Sequence, residues 1–142
     1  MKLSPCIRQF FDQYLPHIKG GSEHTLMAYR DAFRLFLRFA AKFYGIKIKS
    51  LRVEHLSSVL IIAFLEDLQK ERKNLVKTRN HRLAALKSFA KMLRFKYPEQ
   101  REVADTILNI PQKRAQKPLI GFLYQDEILK VFQAVELKTK EG

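Results

Sequence analysis

Between Ser22 and Gly45 the apolar residues Leu26, Tyr29, Phe33, Phe36, Leu37, Ala40 and Tyr44 recur every three or four positions. This spacing lines them along one side of an α-helix and does not suit a strand, whose faces repeat every two residues. Ser22 is a good N-cap, Glu23 is favourable in the first turn, and Gly45 is a natural stop. The same reading applies elsewhere. A helix over about Pro5–Leu15 carries Ile7, Phe10, Phe11 and Tyr14, and Leu15-Pro16 ends it, because a residue before proline is pushed out of the helical region. Lys19-Gly20-Gly21 is the following turn. A third helix, capped by Ser57 and reaching about Arg72, has Ile61, Phe64, Leu65 and Leu68 on its apolar side, with Leu56 and Ile61 spaced as a hydrophobic staple. A fourth runs from about Val76 to Tyr97, with Leu83, Leu86, Phe89, Ala90 and Leu93 inward, and stops at Pro98. A short fifth spans Arg101–Leu108. Helix formers dominate, and five Gly and five Pro are too few for an all-β chain full of turns. The expected fold class is all-α.

Charge narrows the function. The formal net charge is +13 over 142 residues, and a partner with dense negative charge is the leading explanation. The excess is local. From Lys70 to Arg101 there are 11 Lys and Arg against 2 Glu, a net of +9. On the fourth helix Lys77, Asn80, Ala84, Lys87, Lys91 and Arg94 are spaced by alternating threes and fours, so they share one side. On the second helix His24, Arg34, Arg38 and Lys42 lie opposite the apolar stripe.

Nothing in the sequence reads as an active site. There is no Gly-rich phosphate loop, no nucleophile motif around a Ser or Cys, and no carboxylate pair placed for acid–base work. The four His show no metal-ligand spacing, so neither metal nor cofactor is expected. Cys6, the single cysteine, reads as a small buried or half-buried residue and fits a reducing, cytoplasmic setting. Most of the five Tyr fall on apolar stripes and read as core. The apolar run Val59–Leu65 is too short to span a bilayer, and no signal peptide is evident.

What remains is binding of double-stranded DNA. Lys77, Lys87, Lys91 and Arg94 are candidates to neutralise phosphates. Asn80 is a candidate for an adenine edge or a phosphate. Thr78, near the helix start, could contact a phosphate together with free backbone N–H groups. Arg34, Arg38 and Lys42 form a second basic stripe. The plain alternative for each stripe is a solvated helix face. Arg79 and Arg82 fall on the apolar side by phase, yet sit near enough to the helix start to reach outward or to pair with an acid.

Four motifs in order carry a resemblance. Ser22, Thr25, Tyr29, Phe33 and Phe36 resemble the S-x-x-T-x-x-x-Y-x-x-x-[L/F]-x-x-F pattern of the core-binding domain of phage integrases and Xer-type recombinases. Leu56-Ser57 followed by Phe64-Leu65 and Leu68 is similar to that family's next helix. Thr78, Asn80, Arg82, Leu83, Ala85, Leu86 and Phe89 match its T-x-N-x-R-L-x-A-L-R-x-F signature, with Lys87 in place of Arg. Phe122 to Ala134 resembles the opening of its catalytic domain, although Tyr124 stands where Thr or Ser is usual. The resemblance implies a small orthogonal bundle of four to five helices of the SAM-like type, which clamps a duplex together with a catalytic domain. Its second and fourth helices would face DNA, and that adds His24 and Thr25 to the candidate contacts.

The expected organisation is a core-binding domain over 1–108, a linker over 109–121, and the first helix of a catalytic domain over 122–142. The last segment has a net charge of −1 from Leu119 to Gly142. The family's catalytic Arg, Lys, His and nucleophilic Tyr would all fall beyond Gly142, so these residues are expected to bind DNA without cutting it. The full-length protein would recombine DNA through a phosphotyrosyl linkage and self-associate on it. Two rivals stand beside this reading. One is a helical protein-interaction module, basic for solubility. The other is the DNA-binding domain of a different mobile-element protein.

Overall fold

The structure, a computed structural model, describes residues 1–19, 22–70 and 76–113. Among these residues there are five α-helices and no strand. Helix α1 spans Leu3–Gln9 and runs on as a wider π-helical winding over Phe10–Lys19. Helix α2 spans Glu23–Tyr44, α3 Ser58–Lys70, α4 Val76–Lys96 and α5 Arg101–Leu108. Short 3₁₀ turns at Ile48–Ser50, Val53–His55 and Pro98–Gln100 make the corners.

The caps work as the sequence suggests. The Thr25 N–H donates to Ser22 Oγ at 3.1 Å, and Gly45 closes α2 in the left-handed region at φ 67°. There Gly avoids the clash that a Cβ would bring. The Leu60 N–H donates to Ser57 Oγ at 3.1 Å, and the staple residues Leu56 and Ile61 are both buried.

Two expectations need correction. The first helix does not stop at Leu15-Pro16 but continues to Lys19 with Pro16 inside it. A π-helical turn pairs residues five apart, so the carbonyl that a proline ring would strike in an α-helix is displaced. Tyr14 and Leu15 stay buried as a result. Tyr44 does not join the core stripe. It sits at the exposed end of α2, where its hydroxyl donates to the His55 carbonyl at 2.6 Å and fixes the α2–α3 connection.

The core is aromatic and layered. Phe10, fully buried, packs against Phe11, Tyr14, Tyr29, Phe33 and Phe89 with ring centroids 5.1–6.5 Å apart. A second group joins Phe36 and Phe39 to Phe64 of α3 at 5.2 and 5.7 Å. Helix α4 lies at the centre: Leu83, Ala85, Leu86, Phe89, Ala90, Met92 and Leu93 are all buried, against α2, α3 and α5. Cys6 is buried, and burial pushes its thiol pKa up, as suits an inert packing residue.

The N-terminus is tied in by two backbone bonds across the corner loop, Leu3 N–H to Leu51 O at 3.1 Å and Val53 N–H to Met1 O at 2.9 Å. Beside them the Glu54 carboxylate accepts from Gln100 Nε2 at 3.0 Å, from the Met1 ammonium at 3.2 Å, and lies 3.3 Å from Arg52 Nε. Gln100, most of all, and then a backbone N–H and the terminal ammonium hold the Glu54 pKa down at about 2.

Phe89→Ala should lose about 3–5 kcal/mol in urea denaturation, because it opens a hole between two aromatic partners. Glu54 gives a pH signature. A carboxylate whose folded pKa is depressed stabilises the fold above its unfolded pKa, and that contribution fades as pH falls from about 4.5 to about 2. Glu54→Gln should therefore be less stable than the parent at pH 7, with the gap in melting temperature closing toward pH 2. A gap independent of pH would refute the role given to this carboxylate.

Candidate nucleic-acid interface

The first turns of α2 and α4 come together. His24, Thr25, Ala28 and Tyr29 of α2 face Thr78, His81, Arg82 and Ala84 of α4 across a cleft of about 430 Å³. Three expected residues, His24, Thr25 and Thr78, thus meet in one place, joined by His81 and Arg82. Among the described residues no carboxylate lines this cleft. The first turns of two helices meet here, and the positive dipole end of a helix favours an anion.

From the cleft the basic line continues along α2. His24, Ala28, Asp31, Leu35, Arg38 and Lys42 are spaced by fours and threes and so share one face. Arg34 flanks this line and pairs with Asp31 at 3.3 Å, both side chains being well exposed. Arg38 and Lys42 are exposed and form no ion pair among the described residues. They rim a groove of about 360 Å³ over Phe39, Phe43 and Phe64, with Asp67 of α3 on its other side.

Helix α4 contributes less than its charge suggests. Its core half is buried on most sides, so the outward line narrows to Lys77, His81, Ala84, Lys87 and Lys91, of which Ala84 and Lys87 are half-buried. Arg94 turns toward α5 and pairs with Asp105 at 3.5 Å. Asn80 is also engaged within the fold: its side-chain amide bonds the backbone of Lys113. Arg79 is buried, as its phase indicates, and its guanidinium reaches Asn80 Oδ1 at 3.4 Å without an acid partner among the described residues. Arg82 is half-buried, with its Nε shielded from solvent and without a partner among the described residues. The sequence pattern did not single out His81 or Arg82 as a phosphate contact. His81 follows Lys77 by four residues and could have been placed on the outward line by spacing alone.

No cluster of His, Cys, Asp or Glu among the described residues could hold a metal ion, and no helix among them is long and apolar enough to cross a membrane.

The family profile described as phage integrase, N-terminal SAM-like domain, matches residues 7–96, the stretch that builds α1 to α4. The chain belongs to this family. It is 35% and 34% identical, over 99% of its length, to two candidate integrase/recombinases of Sinorhizobium fredii, y4rC and y4rD, spanning 42% and 50% of those proteins. It is 27% identical, over 93% of its length, to the tyrosine recombinase XerC of Oceanobacillus iheyensis, spanning 40% of it. The chain thus covers half or less of each of these relatives. No solved structure matches it.

Proposed function

We propose that this chain is the DNA-binding, core-binding domain of a tyrosine-type integrase or recombinase, and that it grips duplex DNA through the α2–α4 cleft and the basic line running from it. The observation that carries the proposal is the cleft itself: two helix N-termini, two imidazoles and a guanidinium converge with no carboxylate among the lining residues. Thr25 and Thr78 supply hydroxyl donors to phosphate oxygens. Lys77, Lys87 and Lys91 on one helix, and Arg38 and Lys42 on the other, neutralise neighbouring phosphates. The full-length protein cuts and rejoins DNA through a tyrosyl phosphodiester formed by residues beyond this chain, and residues 1–142 bind without cleaving. Residues from 109 onward lead into that second domain. Names of relatives and basic charge both support this reading over a protein-interaction module, which needs no anion cleft.

Duplex affinity measured across a salt series tests it. With about five phosphates neutralised, the log–log slope should be roughly −4 to −5. The Arg38→Ala/Lys42→Ala and Lys87→Ala/Lys91→Ala pairs should each reduce that slope by about one unit for every phosphate no longer neutralised, with stability changed by less than about 0.5 kcal/mol per site. A parent slope near zero, or no binding at about 50 mM salt, refutes the DNA reading and leaves the protein-interaction module standing.

A further inference from the structure

Asn80 is an odd choice for the second turn of a helix, since its short amide competes with the backbone and lowers helix propensity. The side chain makes two bonds to one residue that is distant in sequence. Its Nδ2 donates to the Lys113 carbonyl at 2.8 Å, and its Oδ1 accepts from the Lys113 N–H at 3.0 Å. A residue held at both its own N–H and its own C=O is held as a strand neighbour would hold it. The amide cannot be turned over, because Arg79 Nη1 lies 3.4 Å from the same Oδ1, so oxygen must face the two donors and nitrogen the carbonyl. The segment is pinned further on both sides. Lys113 Nζ donates to Gln69 Oε1 on the last turn of α3 at 3.1 Å. Upstream, Ile110 is buried, and its N–H bonds the Ile107 carbonyl at 3.2 Å.

We propose that Asn80 is a latch: a positioning residue that clamps the chain at Lys113 onto α4, and so fixes where the segment after α5 lies against the bundle. After α5 the chain returns to the last turn of α3, at Gln69, and to the second turn of α4, at Asn80. The same helix carries Thr78, His81 and Arg82 on its cleft side, so the cleft is tied to the position of that segment. An amide committed in this way has no free donor and acceptor pair for a base edge. The latch and a bidentate base contact by Asn80 are mutually exclusive, because Oδ1 is already taken by Lys113 and Arg79. The latch needs only the fold and stands whether or not the chain binds DNA.

Amide hydrogen exchange on the 142-residue chain, followed by NMR, tests the latch. Asn80→Ala should speed exchange at the Lys113 N–H by roughly ten-fold, the effect of losing two modest hydrogen bonds, and leave the amides of Leu86 and Leu93 unchanged. Asn80→Asp keeps an acceptor for the Lys113 N–H and should keep most of its protection, while releasing the carbonyl. Trypsin cleavage after Lys113 should rise in both variants. Lys113→Pro covers the case in which Asn80→Ala disturbs α4. It lies outside every helix, and it should move the Asn80 side-chain amide resonances to solvent-exposed values. Unchanged Lys113 exchange in a folded Asn80→Ala, or unmoved Asn80 resonances in Lys113→Pro, overturns the latch. Loss of base discrimination in Asn80→Ala with Lys113 protection intact overturns it in favour of a DNA-reading role.

Discussion

Everything in this bundle is arranged around the burial of α4. Leu83, Leu86, Phe89, Ala90 and Leu93 fill one face, but Ala85, Ser88 and Met92 are buried too, so packing surrounds most of the helix. Helix α5 packs against α4, with its own Ala104 and Ile107 buried. A helix enclosed in this way has little surface left for charge. Its lysines are confined to a narrow strip, and Arg94 at its end finds Asp105 instead of solvent alone. Packing therefore decides which basic residues remain free to meet a partner.

The same enclosure explains the winding of the first segment. Phe10 must reach Phe33 and Phe89 while Tyr14 and Leu15 stay covered. A helix ending at Leu15 would give up part of this burial. Widening the turns keeps the aromatic residues on the core and carries Pro16 past the point where it would ordinarily break a helix. Arg30 then closes the outer edge, 6.0 Å above the Phe11 ring.

Much of this was legible in the residues. Ser22, Gly45, Ser57 and Pro98 marked helix ends because their effects are local and depend little on the rest of the fold. The apolar stripes of α2 and α3 were legible because each of those helices buries one side. For α4, periodicity pointed to the correct inward residues but overstated the outward ones, since a centrally buried helix has no single polar face. The role of Asn80 could not be read, because its partner lies 33 residues away and the bond depends on how the chain returns after α5. The pairing of Arg94 with Asp105 could not be read for a similar reason: only the α4–α5 packing brings Asp105 near. The cleft was half visible. His24, Thr25 and Thr78 were placed by helix-start chemistry and motif, whereas the meeting of the two starts is a property of the assembled bundle. The first helix of a catalytic domain expected over 122–142 lies outside the described residues, as does the linker beyond Lys113.

Tyr29 belongs to two places at once. One side of its ring stacks nearly parallel to Phe10, with centroids 6.5 Å apart at 9°, and the residue also lines the α2–α4 cleft. Burial raises its phenol pKa. The chain has no tryptophan, so its near-ultraviolet signal comes from tyrosine and phenylalanine. Tyr29 is thus a native optical reporter at a wall shared by cleft and core. Occupation of the cleft and loosening of the aromatic cluster both change its surroundings, one from outside and one from within, and no added dye is required to follow either.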